Sequence, residues 1–149
     1  MSKVVQFPAE ILSTPSEAVE DFSQVSNHIM GMMVLCKSKK RPAVGLAAPQ
    51  IGVPLRFFVT WRNDCLKYYI NPIIVHSSET YVTKDESCIS FNKKLKYPIS
   101  RSCSVIVKYQ TLDERWHEAT FEDHHARIMQ HEIDHLDGIT MFDRWKEQQ

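Results

Sequence analysis

The sequence predicts an α+β fold, several short strands with helices at each end of the chain. Three observations predict it: an apolar stripe of helical period near the start, several short aromatic and β-branched runs through the middle, and a second helical pattern near the end. A chain of 149 residues is the size of one ordinary domain, so residues 1–149 read as a single unit.

The elements follow in order. Thr14-Pro15-Ser16-Glu17 reads as a helix start, with Thr14 as N-cap, Pro15 in the first helical position and Glu17 completing a capping box. Ala18, Phe22, Val25, Ile29, Met32 and Cys36 recur at intervals of three and four, which predicts a helix from about Pro15 to Cys36. Met30, Met32 and Met33 read as core or boundary filler. Lys37 to Pro42 forms a basic, solvated loop, with a docking patch for an anionic partner such as ribosomal RNA as the lesser reading. Taken alone, Gly45 to Gly52 suggests a tight turn ahead of a strand. Leu55 to Trp61, Leu66 to Val75, Ser104 to Gln110 and Trp116 to Phe121 have the composition of strands, the last two joined near Asp113-Glu114-Arg115. Glu122-Asp123 then supplies acidic residues at the start of a final helix that runs to about Leu136 and closes at Gly138, followed by a polar tail containing Glu147.

Composition narrows the function. Eighteen basic and eighteen acidic residues cancel, so no global charge points to DNA or to an anionic membrane surface. The longest apolar runs are far short of the ~20 residues that a membrane span needs. Met1 to Ile11 lacks the apolar core of a signal peptide. Cys36, Cys65, Cys88 and Cys103 are widely spaced in a chain large enough to fold without staples, so a reduced, cytoplasmic setting is expected.

The chemistry concentrates in His131-Glu132-Ile133-Asp134-His135. Histidines four apart stack on one helix face, where they can share a metal ion while the intervening glutamate stands beside it as a base. Phe121, Ile128, His131, Glu132 and His135 fall on one half of the helical wheel, so the imidazoles face the interior. His124 lies on the same face, but at about 16 Å from His135 by helical rise it is too distant to share the ion. The third ligand is a carboxylate or a thiolate. One zinc-protease pattern would need a downstream glutamate, and Glu147 lies in the polar tail. Another would need a histidine where Met141 stands, although Gly138 is correctly placed. Both fail at the third ligand, which leaves Cys88 within Asp85-Glu86-Ser87-Cys88-Ile89-Ser90.

Three separated segments together resemble those of the peptide deformylases. Gly45-Leu46-Ala47-Ala48-Pro49-Gln50 is similar to the family's Gly-hydrophobic-Ala-Ala-x-Gln, Glu86-Ser87-Cys88-Ile89-Ser90 to its Glu-Gly-Cys-Leu-Ser, and Gln130 to Gly138 to its Gln-His-Glu-x-Asp-His-Leu-x-Gly. They occur in family order with family-like gaps, and the resemblance spans most of the chain. It implies the family's α+β arrangement, antiparallel strands packed around a central metal-binding helix, and removal of the formyl group from N-formylmethionyl nascent peptides by a cytoplasmic, monomeric metallohydrolase. It further implies Cys88, His131 and His135 as ligands of one divalent ion, Fe(II) by family habit, with zinc, nickel or cobalt as substitutes. Glu132 would move the proton of the attacking water, and the Gln50 amide and Ile89 N–H would hold the developing oxyanion. Val44, Gly45, Leu46, Ile89 and Ile128, with Tyr97 as a further candidate, would contact the substrate, Gly45 by letting its backbone approach closely.

Departures from the pattern are Ala43 and Ser87, where many members carry glycine, and Ile89 for leucine; serine at 87 costs about 1 kcal/mol if that backbone requires a positive φ. The chain also ends soon after the metal helix, without the long C-terminal helix of many bacterial members, as in shortened phage-encoded forms. A ribosome-docking role for that tail is therefore not carried over, leaving only transient ribosome proximity. Rival readings are a zinc endopeptidase and a formyl-peptide-binding protein impaired by Ser87 and Ala43. Intact Glu132 and Gln50 favour an enzyme.

Overall fold

The computed structural model describes residues 3–149. Its strands are β1 (Gly45–Ala47), β2 (Phe57–Arg62), β3 (Cys65–Ser77), β4 (Tyr81–Glu86), β5 (Tyr97–Ser102), β6 (Ser104–Gln110) and β7 (Trp116–Glu122). Its α-helices are α1 (Ser23–Cys36), α2 (Asp123–Leu136) and α3 (Met141–Glu147). An antiparallel sheet runs in the order β1-β2-β3-β6-β7, and β4 pairs with β5 in a separate ribbon.

Side-chain alternation on β2 explains how helices cover both faces of the sheet. Phe57 and Val59 point toward α1, where Val25, Ile29 and Met32 close one core with Leu46. Phe58 points the other way and joins Tyr69, Val107 and Phe121 under Ala126, Met129 and Ile133 of α2. A strand buried on both faces reads as the continuous apolar run seen in its sequence. The cost of fixing α2 is offset on one side by this core, which leaves its other side free to carry polar chemistry.

Helix α1 begins at Ser23, later than the apolar stripe suggests. Thr14 and Glu17 form no capping box; Thr14 Oγ1 donates to Glu10 O at 2.8 Å, closing a 3-10 turn over Glu10–Ser13. Glu17 instead bridges to Leu55, its N–H reaching Pro54 O at 3.0 Å while its carbonyl accepts from Arg56 N–H at 2.8 Å. Backbone groups that a helix would have satisfied locally thus find partners across the chain. The helix starts where Asp21 Oδ1 accepts from Ser23 N–H and Oγ, at 3.0 and 2.6 Å. Of the methionines, Met32 is buried but Met30 is exposed.

Several elements lie outside the sequence expectations. Gly45–Ala47 is a strand rather than a turn, and the tail after Gly138 contains α3. Thr140 caps that helix, accepting from Asp143 N–H at 3.3 Å while Asp143 Oδ2 accepts from Thr140 N–H at 2.8 Å. Gly138 lies at φ +75°, and a Cβ there would stand 2.8 Å from Thr14 C and 2.9 Å from Pro15 N, so both conformation and space require glycine. The four cysteines are all free. Among the described residues no helix is long and apolar enough to cross a membrane.

Candidate metal centre

Helix α2 presents His131 and His135 from successive turns, with ring centroids 4.9 Å apart. Cys88 comes from the loop between β4 and β5, and its Sγ lies 3.4 Å from His135 Nε2. One donor atom from each of the three residues falls within 4.8 Å of the others. A thiolate and two imidazoles form a donor set that zinc and ferrous iron both accept, with room for a fourth ligand. Two buried polar atoms beside it, His135 Nδ1 and Glu132 Oε1, have no hydrogen-bond partner among the described residues. A buried group without a partner is costly, and the orphaned Glu132 oxygen beside the donor cluster marks a place completed by a small polar ligand, whereas His135 Nδ1 lies on the side of the ring away from the Nε2 that faces Cys88. The residues present therefore fit a divalent cation.

His131 is oriented from behind. Its Nδ1 pairs with Glu86 Oε1 at 2.8 Å, turning Nε2 toward the donor cluster. Glu86 in turn receives Arg101 Nε at 2.6 Å, Arg101 Nη2 at 3.0 Å and Arg127 Nη1 at 2.5 Å. Arg101 also reaches Asp134 Oδ2 at 2.7 Å, and Arg144 closes the web on the same carboxylate, with Nη2 2.8 Å from Oδ1. Burial alone would raise the Glu86 pKa, but hydrogen bonds from His131 and Arg101 hold it well below the usual carboxylate range. This web ties β4, β5, α2 and α3 around His131.

Glu132 is buried, and burial pushes its pKa up to about 7, with His131 pulling the other way and Glu86 adding to the rise. A carboxyl group tuned near neutrality can both take and return a proton. Burial likewise lowers the His135 pKa well below its ordinary value, favouring the neutral imidazole that ligates a metal. Gln50 is held by its own strand end: Oε1 accepts from Ala47 N–H at 2.9 Å, leaving Nε2 directed at Ser90 Oγ, 3.0 Å away, and at Cys88 Sγ, 3.4 Å away.

A cavity of ≈ 290 Å³ opens onto the cluster, lined by Val44, Gly45, Gln50, Ile89, Ile128 and Glu132 among others. Two expected contacts lie elsewhere. The Leu46 side chain points into the core beneath β1, because alternation puts it on the face opposite Gly45 and Ala47, so it does not line the cleft. Tyr97 packs in a separate aromatic cluster with Phe91, Phe142 and Trp145. His124 lines the cavity mouth without joining the donor cluster. Gly45 has a second reason to be glycine, since a Cβ there would stand 2.7 Å from Glu132 Oε2. Ser87 is not among the residues of positive φ, so replacing glycine there brings no backbone strain.

The family model described as polypeptide deformylase matches residues 1–149. The chain belongs to the polypeptide deformylase family. Among peptide deformylases, that of Thermotoga neapolitana is 41% identical over 103 residues, covering 69% of this chain and 62% of the relative. The chain thus spans under two thirds of the length of several relatives it matches, with 57% for that of Pseudothermotoga lettingae. The crystal structure of the Thermotoga maritima peptide deformylase superposes with a TM-score of 0.90 at 32% identity, covering 97% of both chains. A probable peptide deformylase from Synechococcus phage S-SSM7 gives 0.88 at 30% identity, covering 97% of this chain and 99% of that one. The deformylase architecture is therefore present from the N-terminal segment through α3. The supporting residues Arg101 and Arg127 carry no local sequence signal, since their partner Glu86 lies 15 and 41 residues away.

Proposed function

We propose that this protein hydrolyses the N-terminal formamide of N-formylmethionyl peptides, releasing formate and a free α-amine. The observation that supports this reading most directly is the convergence of Cys88, His131 and His135 on one point beside the buried carboxyl of Glu132 and the amide of Gln50. A divalent cation held by the three ligands supplies Lewis-acid activation, with Fe(II) as the native ion we favour.

Glu132 takes a proton from the attacking water as the water oxygen bonds to the formyl carbon. It then delivers that proton to the nitrogen as the C–N bond breaks. Gln50 Nε2 and Ile89 N–H donate to the oxygen on which negative charge develops, worth about 10²- to 10³-fold per donor. Gly45 borders the peptide, while Val44, Ile89 and Ile128 supply the apolar side of the cleft for the methionine side chain. The partner is the nascent chain, met in the cytoplasm near the ribosome, and the protein acts as a monomer.

Formate release from a formyl-Met-peptide by anaerobically purified protein tests the reading, run beside Glu132→Ala. Wild type should release formate and the variant should fall by several orders of magnitude. Absence of formate with iron, nickel, cobalt and zinc alike refutes deformylation, and cleavage of internal peptide bonds in its place would establish an endopeptidase.

A further inference from the structure

Arg41 leaves its basic loop and inserts behind the segment that carries Cys88 and Ile89. Its Nη2 donates to Cys88 O at 2.9 Å, and its Nη1 donates to Phe91 O at 2.5 Å and to Ile89 O at 3.4 Å. Three carbonyls of one turn thus converge on one guanidinium, a planar fork suited to bridging several acceptors. Cys88 O also accepts from Phe91 N–H at 2.9 Å, so both of its lone pairs are used. Its neighbours Lys39 and Lys40 remain exposed, as a solvated loop requires; Arg41 alone turns inward.

The Cys88 carbonyl and the Ile89 N–H belong to the same peptide unit. In a planar trans peptide these two groups point in opposite directions, so fixing one fixes the other. Ile89 N–H donates to no protein acceptor among the described residues. A cation bonded to the carbonyl side draws electron density from the unit and strengthens its N–H as a donor, by the same mutual polarisation that makes hydrogen-bond chains cooperative.

We infer that Arg41 is a positioning residue for the reaction, holding and polarising the Cys88–Ile89 peptide so that the Ile89 N–H is aimed at the substrate's formyl oxygen. This rests on the deformylase reading above. Arg41 touches neither substrate nor metal ligand side chain; it acts through a peptide plane. Its effect should therefore fall on the step in which charge develops on oxygen rather than on substrate binding.

The experiment compares wild type, Arg41→Met and Arg41→Lys, each loaded with the same metal. Wild-type formate release establishes the underlying reaction; if it is absent, that reading fails regardless of Arg41. Given an active wild type, Arg41→Met should lose about 10- to 100-fold in kcat, with KM within about threefold and metal content unchanged. Arg41→Lys, a single cation that cannot span three carbonyls, should fall between. Selective ¹⁵N-isoleucine labelling of the zinc form should show the Ile89 amide signal displaced in Arg41→Met while that of Ile106, on β6, stays in place. A kcat within threefold of wild type overturns the inference. So does a kcat loss that merely tracks metal loss, since that would make Arg41 a structural staple of the Cys88 loop.

Discussion

Replacing Gly45 by alanine isolates the placement of Glu132 from the stability of the fold. The added methyl would stand 2.7 Å from Glu132 Oε2 and 3.0 Å from its Cδ and Cγ, whereas ordinary contact begins at 3.4 Å. The carboxylate must give by about 0.7 Å (3.4 − 2.7). A displacement of about 1 Å in a catalytic group can cost about 10²-fold, so a loss of roughly 10- to 50-fold in kcat is expected, or about 1.4 to 2.3 kcal/mol of barrier. The backbone at residue 45 lies outside the left-handed region, and alanine suits a strand at least as well as glycine does. Melting temperature and metal content should accordingly change little. Steady-state formate release, metal analysis and thermal unfolding on the same preparation make the comparison. A kcat within threefold of wild type would show that the carboxylate has slack and that the 2.7 Å approach does not position it.

Cys88→Ala should abolish retention of the metal, whereas Cys65→Ala and Cys103→Ala retain it, and Cys36→Ala retains it with reduced stability because that thiol is buried in the α1 core; metal analysis of the four variants decides this. Gly138→Ala combines a left-handed backbone with contacts under 3.0 Å and should cost about 2 to 4 kcal/mol in denaturant unfolding. Gly31→Ala, with nothing within 4 Å, should stabilise by up to about 1 kcal/mol. Arg101→Leu leaves Glu86 and Asp134 each short of a buried partner and should cost about 3 kcal/mol or more; a loss under 1 kcal/mol would mean that Arg127 and Arg144 suffice.

Legibility in the sequence followed the range of the interactions involved. Helix α2 was readable because its period, its acidic start and Gly138 are all local, and β6 because Val105-Ile106-Val107 has no competing pattern. The residues that gather at the metal centre were readable from motifs whose spacing encodes their chemistry. Strand β4 was missed because Tyr81 to Asp85 are all exposed, so neither face carries an apolar alternation, and only pairing with β5 makes it a strand. The start of α1 was misplaced because Ser16 N–H reaches Leu136 O at 2.8 Å and Glu17 reaches Pro54, contacts invisible to a local capping rule. The α3 cap was visible in Thr140 and Asp143, though in the aspartate form of a box usually completed by Glu or Gln. No local pattern announces Arg41, whose partners lie about 50 residues away.

The N-terminal segment is hydrogen-bonded to the segments that build the site. Val5 N–H reaches Gln50 O at 2.6 Å, Gln6 Nε2 reaches Ile89 O at 2.9 Å, and Phe7 N–H reaches Ser90 O at 2.8 Å. The cleft is thus framed by the first residues described and completed by the imidazoles at positions 131 and 135. No partial chain holds it: the donor cluster is assembled only when α2 is present together with the segment that carries Cys88. The same closure would make an ion bound there a fastener for the whole molecule: chelation should lower the melting temperature of the whole fold by the mass-action term lost, rather than loosen one loop.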